Sequence, residues 1–547
     1  MSDDKITDSK EVEDAVAEKD AHEEAMAQMK ALTESSGISE KRLLLKTDLH
    51  VVPILFLLFL CAFIDRINIG NARIQGLESD LNMSGSDYNV ALFTFFILYI
   101  LLEVPCNILL KKMRPSIFLP SIILAWGVVT ICQGLTRSFG GLVACRVIIG
   151  GLEAGFFPGS VYLITMFYRR HELQWRMNLF FSASIIAGAF SGLLAYAIAH
   201  MAGISGYGGW RWIFILEGLA TVLVAFASYW LVPDWPETAK FYTEEERAFW
   251  IRRLALDSED ATMSRWDKRT ARRVFGDVKI WLGTFMYMGI VTTGYSGSFF
   301  VPTILRQLGW TSIRAQVMSI PIFIVATVLA LSAALLSDRI KHRFGFIIGG
   351  CCVATIGYVI LLCMHQVQVG VRYFAVFLVV GGGYIAQPIV LVWLGNNLSG
   401  HYKRGVGAAL QVGLGNIGGI VASNIFIQSQ APEYPLGFGM ALGMIWLCVF
   451  TACAFALYLL RENRLRDKGR RDHRYEEPED ERNNMGDDCK SGLCLSYLHL
   501  CNMREDMLTL DDARSQLSLY VVRSECGAAR CLKYTASKWA QDQRSRR

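Results

Sequence analysis

Four charged residues stand where charge is costly. Arg146 and Glu153 fall inside an apolar run, residues 139–167, and Asp65 and Arg66 adjoin at the end of another, residues 50–68. A charge at bilayer depth costs on the order of 3 kcal/mol on insertion scales. A helix therefore keeps one only against protein or a wet cavity. Seven residues separate Arg146 from Glu153, which places them on one helix face, two turns and about 10 Å apart along the axis. A carboxylate near a fixed arginine exchanges its proton when an anion competes for the guanidinium. Asp65 and Glu153 are therefore candidate proton carriers, and Arg66 and Arg146 candidate anion ligands. The other reading is a structural ion pair that ties helices together.

Neutral groups in other apolar runs could complete such a site. Tyr99 and Glu103 lie one turn apart in the second run, with Glu103 either buried or interfacial. Tyr295, Gln387, Trp393, Asn396 and Asn416 lie in later runs. They could form an opposite wall that hydrogen-bonds and stacks on a planar anion, or they could be satisfied packing residues. Gly151, Gly155 and Gly159 recur every fourth residue, a row that lets a neighbouring backbone approach. Residues 413–418 read G-x-G-x-x-G, but no strand precedes them, which excludes a dinucleotide loop. No nucleophile–base pair and no metal-ligand spacing occurs in the apolar runs. The chain is read as a non-enzyme without metal or cofactor, with the proton as its only coupling ion.

The elements that must hold these residues are membrane helices. Of 547 residues, 53% are hydrophobic and 19% charged, against about 25% charged in soluble proteins. The apolar residues cluster in about twelve blocks of spanning length, near 50–68, 88–110, 116–136, 139–167, 177–200, 211–232, 278–303, 316–336, 345–364, 372–395, 406–428 and 437–460. This predicts an all-α membrane protein of twelve transmembrane helices in two six-helix halves. Five regions follow: a disordered cytosolic segment (1–45), a first half (46–232), a cytosolic linker (233–277), a second half (278–460) and a cytosolic tail (461–547). No cleavable signal precedes the first span. Lysine and arginine concentrate in the loops after even-numbered spans, which makes the termini and linker cytosolic. The basic residues thus follow topology, and no nucleic-acid partner is expected. In the linker, Thr243 to Glu246 form a capping-box pattern. Phe249, Trp250 and Leu254 give the helix that follows an apolar stripe, expected to lie on the membrane face. Asn82-Met83-Ser84 is a glycosylation sequon in an outside loop. Asn397-Leu398-Ser399 borders a cytosolic loop and is expected to go unused. Nine of the 14 cysteines lie in apolar runs as small buried residues.

Several stretches, in order, carry a family resemblance. The loop Asp338-Arg339-Ile340-Lys341-His342-Arg343 has the D-R-x-x-x-R pattern of the major facilitator superfamily, and Lys111-Lys112-Met113-Arg114 repeats it without the aspartate. Residues 63–72 (FIDRINIGNA), 103–107 (EVPCN), 146–159 and 209–218 (GWRWIFILEG) resemble the anion:cation symporter family within it. Residues 233–241 (PDWPETAKF) resemble its fungal branch of nicotinate and allantoate permeases. The resemblance spans residues 40 to 488. It implies alternating access by a monomer in the lipid bilayer, moving a small organic anion with protons. It makes Asp65 and Glu153 the protonatable carboxylates, Arg66 the anion anchor, Arg146 a salt-bridge partner, and Asp338, Arg339 and Arg343 a conformational loop. The plasma membrane is the expected location, with a vesicular or vacuolar membrane as the alternative. An exporter of an acidic metabolite and a non-transporting nutrient sensor remain alternative functions. After residue 488 the chain departs from the family pattern. Two Cys-x4-Cys pairs there, from Cys489 and Cys526, are read as part of an unstructured extension or a misplaced exon boundary rather than a zinc site.

Overall fold

In hydrocarbon every backbone N–H and C=O must be satisfied within the chain, and the described residues do this with helices and turns alone. The computed structural model describes residues 39–258, 268–340, 342–363, 367–398 and 401–467. The expected loose N-terminal segment, the cysteine-bearing tail, Lys341 and Ser399 of the second sequon lie outside them. Before residue 232 come α1 (Glu40–Ala72), α2 (Asp87–Lys112), α3 (Pro115–Gly134), α4 (Phe139–Glu153), α5 (Phe156–Phe167), α6 (Arg170–Ala199) and α7 (Gly209–Leu231). The linker carries α8 (Glu244–Ser258) and α9 (Lys268–Phe275). The second half holds α10 (Val278–Gln307), α11 (Ser312–Ile340), α12 (Arg343–Leu362), α13 (Val369–Asn396), α14 (His401–Gly415), α15 (Ile417–Ile425) and α16 (Pro435–Asp467). The pairs α4–α5 and α14–α15 each make one broken span, so each half contributes six spans.

Eleven of these spans are long and apolar enough to cross a membrane; α10 is the twelfth and is less apolar. Its position explains this. Every residue from Gly289 to Leu305 is buried, so protein and not lipid sets the composition there, and Thr292, Thr293, Ser296, Ser298 and Thr303 are tolerated. α1 is likewise buried on all sides from Ala62 to Ala72. The two helices cross at Gly70, where a Cβ would stand 2.7 Å from the carbonyl oxygen of Phe299. Only glycine permits that approach. Outward faces carry Leu223, Phe226 and Trp230 on α7 and Phe450 and Leu457 on α16, the apolar belt a bilayer would cover.

Hydrogen bonds between the halves gather toward the end opposite the linker. Asn89 Nδ2 donates to the carbonyls of Ser423 at 2.6 Å and Phe426 at 3.2 Å. Gln75 bonds Gln316 at 3.2 Å, and Ser312 Oγ donates to Ile74 O at 2.8 Å. On the linker side a narrow cleft opens between α6, α11 and α13, lined by Asn178, Ser182, Tyr384 and Gln387 among others.

The linker docks on protein, which corrects the expected membrane contact. Thr243 and Glu246 bond reciprocally across the first turn of α8, at 2.9 and 3.3 Å. Phe249 and Trp250 are buried, and Trp250 Nε1 donates to Phe167 O at 3.1 Å. An apolar stripe suits lipid or protein equally; here the linker end of the first half supplies the partner. Arg253 clamps Glu172 and, at 2.6 Å, Glu40. Burial opposes its charge, but these two carboxylates hold its pKa above the ordinary value.

Candidate functional site

Arg66 links the two halves at their crossing. Its Nη1 donates to Tyr295 OH at 2.6 Å, and its Nη2 pairs with Glu153. The guanidinium carbon lies 5.0 to 5.9 Å from the rings of Tyr99, Phe95, Phe63 and Tyr295, a geometry in which ring faces attract a cation. Tyr295 OH donates onward to Asn416 Oδ1 at 3.3 Å. The chain Glu153–Arg66–Tyr295–Asn416 therefore ties α4, α1, α10 and the break between α14 and α15. An anion reaching Arg66 can replace either the carboxylate or the phenol.

Asp65 faces away from this crossing, because adjacent helical residues point about 100° apart. Its Oδ2 accepts from Thr221 Oγ1 at 2.8 Å and Trp126 Nε1 at 3.2 Å, and Oδ1 has no partner. Arg146 lies behind α1. Its Nη1 donates to Arg66 O at 3.4 Å, while Nε and Nη2 have none. This corrects two expectations. Glu153 takes its cation from α1 and not from Arg146 on its own helix, since two turns separate the latter pair beyond contact. Arg146 faces the interior of the first half, next to Phe214, and not the space between halves.

Glu103 is buried, not interfacial, at 2% exposure. Neither carboxylate oxygen has a hydrogen-bond partner, and Oε2 would lie 3.0 Å from a Cβ on Gly413 across the gap. Tyr99, one turn away, lies under Arg66. Gln387 borders the cleft, with Oε1 unpartnered. Trp393 is placed elsewhere: its ring packs on Phe455 at 4.6 Å and Phe344 at 6.1 Å inside the second half. Its aromatic bulk serves that core, so it leaves the set of anion ligands. Asn396 also leaves the wall. With its amide oxygen toward Arg343 it accepts from Nη1 and Nη2 at 2.7 and 2.8 Å, and Arg343 stands 3.6 Å from Asp338. Arg339 is exposed. Asn82 is exposed in the loop before α2, with φ of +49°, a conformation asparagine tolerates.

The glycine rows seat these helices. Cβ atoms on Gly151, Gly155 and Gly159 would meet Leu102, Cys106 and Leu110 of α2 at 3.2, 2.9 and 3.0 Å. On Gly150 the Cβ would overlap Phe95 O. In the G-x-G-x-x-G stretch, a Cβ on Gly418 would stand 2.5 Å from Met288 O. Sequence reasoning left Glu217 without a role; its Oε2 accepts from Asn68 Nδ2 at 2.9 Å. The rule that singled out Asp65, a carboxylate in an apolar run, applies to Glu217 equally. Trp126, Thr221 and the cage phenylalanines carried no such signal.

A twelve-span helical bundle with a polar crossing between two halves defines a class, the secondary transporters with a central site between repeats. The model of the Major Facilitator Superfamily matches residues 55–423, and the chain belongs to that superfamily: it is a membrane transporter and not an enzyme. It is 35% identical over 446 residues to the MFS-type transporter cnsO of Penicillium expansum, covering 79% of this chain and 86% of that one. It is 34% identical over 426 residues to an uncharacterized transporter of Schizosaccharomyces pombe, covering 78% and 85%. It is 32% identical over 438 residues to the major facilitator-type transporter hxnP of Emericella nidulans, covering 79% and 88%. Among solved structures, a D-xylose-proton symporter superposes with a TM-score of 0.57 at 16% identity, over 74% of this chain and 97% of that one. A bacterial homologue of the lysosomal transporter Spinster, inward-facing and unoccupied, gives 0.55 at 16%, over 74% and 95%. At that identity these two speak for the fold alone.

Proposed function

We propose that this transporter carries a small organic anion, a monocarboxylate such as nicotinate or a related acid, by alternating access in symport with protons. The carrying observation is Arg66: a buried guanidinium at the crossing of α1 and α10, held by a carboxylate from its own half and a phenol from the other. An entering carboxylate displaces Glu153 from the guanidinium. Glu153, deprived of its cation in a dry site, takes a proton, and anion and proton cross together. Tyr295, Asn416 and Gln387 form the neutral wall, with Tyr99 as a stacking face. Asp65, beside the under-partnered Arg146, is the second exchangeable carboxylate. The basic residues put the linker in the cytosol, so the closed end faces outside and the cleft opens inward. Asn82 then stands outside as a glycosylation acceptor, and the plasma membrane is the site of a monomeric carrier.

The test is uptake of labelled carboxylates into proteoliposomes with and without a proton gradient. Arg66→Lys keeps the charge but loses the fork that holds a carboxylate bidentately. It should weaken anion binding on the order of 100-fold, about 2–3 kcal/mol, while the protein still folds. Normal affinity in this variant removes Arg66 from the site.

A further inference from the structure

We infer that the transported carboxylate also carries a positively charged nitrogen, and that Glu103 receives it. The inference rests on the anion reading above and adds the second half of the substrate. Four carboxylates are buried inside the first half: Asp65, Glu103, Glu153 and Glu217. Three accept a hydrogen bond, from Thr221 and Trp126, from Arg66, and from Asn68. Glu103 alone accepts none at either oxygen. The two guanidiniums beside them, Arg66 and Arg146, cannot neutralise four acids. Among the described residues, the second half offers no cation at that depth. Among the described residues, its buried charges are Asp277, Lys279, Arg343, Lys403 and Glu462, all at or near the linker ends of their helices.

The placement of Glu103 points to a ligand rather than to a fastening. Its carboxylate lies against the bare Cα of Gly413 on the opposite half, so it faces the route between halves. A lone buried carboxylate is costly, and an ammonium or pyridinium nitrogen supplies both the charge and the N–H groups it lacks. The reach also fits. Tyr99 lies under Arg66, and Glu103 is one turn farther along α2, about 6 Å in axial rise. A single aromatic ring bearing a carboxylate at one edge and a basic nitrogen at the other spans that distance alongside Tyr99.

The test compares two probes with the same carboxylate, benzoate and 3-(aminomethyl)benzoate. Each is titrated calorimetrically into the purified full chain in nanodiscs, at a pH where both are ionised. The wild type should bind the aminomethyl acid at least about tenfold more tightly, the scale of one charge-assisted contact. Glu103→Gln should erase that preference and leave benzoate affinity within about threefold. Arg66→Lys should weaken both probes. Were Glu103→Gln not to fold, Glu103→Asp decides: a shortened carboxylate should reduce the preference and spare benzoate. A wild type that binds benzoate without preferring the amine overturns the Glu103 assignment alone, as does a Glu103 variant that shifts both probes equally. A wild type that binds neither probe overturns the anion reading together with it.

Discussion

Among the described residues, the first half of the molecule buries charges in the middle of the bundle as well as near its ends, whereas the second half buries them at one end alone. Asp65, Arg66, Glu103, Arg146, Glu153 and Glu217 are all buried within α1, α2, α4 and α7. The facing wall is neutral: Tyr295, Asn416, Tyr384, Gln387 and Ser298. The buried acid at the start of the second half, Asp277, meets Lys403 at 2.7 Å and Lys279 at 3.5 Å near the linker. Contacts across the crossing follow from this division. Each cross-half hydrogen bond named above has a neutral acceptor, and no ion pair among the described residues joins the halves. A neutral hydrogen bond contributes about 1 kcal/mol net, and one with a charged donor, as from Arg66 to Tyr295, about 1.5–3 kcal/mol, so parting the halves breaks single hydrogen bonds and no ion pair named here. The strong pair, Arg66 with Glu153, stays within one half and travels with it. Charge chemistry and closure are thereby placed on different surfaces.

The largest test of this division compares the two sides of Arg66. Arg66→Leu leaves Glu153 buried without a cation and should cost about 3–5 kcal/mol. Tyr295→Phe removes a neutral partner and should cost about 1–2 kcal/mol. Thermal unfolding of the purified variants reads both, and equal costs would break the contrast. Next come the carboxylates. Asp65→Asn and Glu153→Gln keep shape but cannot exchange a proton, and should abolish accumulation driven by a pH gradient. At least one should retain counterflow of labelled anion. If both still concentrate substrate, the proton travels elsewhere.

Closure itself is the third test. Gly70→Ala sets a Cβ 2.7 Å from Phe299 O, and such overpacking costs about 1–3 kcal/mol. The closed end should then open more often, seen as faster labelling of a cysteine placed at Gln75. Unchanged labelling would mean that the α1–α10 crossing does not govern closure. The smallest effect belongs to the linker. Burial resists ionisation of Glu246, yet bonds from Lys46 and the Thr243 N–H hold its carboxyl below the ordinary range. Its contribution is therefore present above the unfolded pKa and fades as pH falls through the lowered one. Glu246→Gln should loosen α8 by under about 1 kcal/mol, measured as faster amide exchange in α8 at neutral pH. A shift in substrate affinity instead would tie the linker to the central site.

Much of the fold was legible because lipid imposes a simple rule. A span facing hydrocarbon must be a long apolar helix, so eleven spans announce themselves. α10 satisfies the rule weakly, since protein surrounds it. The cost of buried charge made Asp65, Arg66, Arg146 and Glu153 visible, and the same rule would have raised Glu217. Pairing was less legible. Glu153 looked to Arg146 along its own helix and found Arg66 on another. Trp393 looked like a ligand because aromatic rings serve cores and sites alike. The stripe on α8 was readable, but the surface it would cover was not.

The sequence by itself determined which segments are helical, where the halves divide, and which side chains are too costly to bury without purpose. Those properties depend on local composition and on the 3.6-residue period, which any stretch of chain carries alone. Only the tertiary structure decided which costly groups meet. Arg66 reaches Glu153 and Tyr295 from helices 87 and 229 residues away. Glu103 lies against Gly413 because the glycine leaves space there. These contacts depend on how helices rotate and cross. Rotation is set by packing summed over every neighbour, and no single stretch of sequence contains that sum.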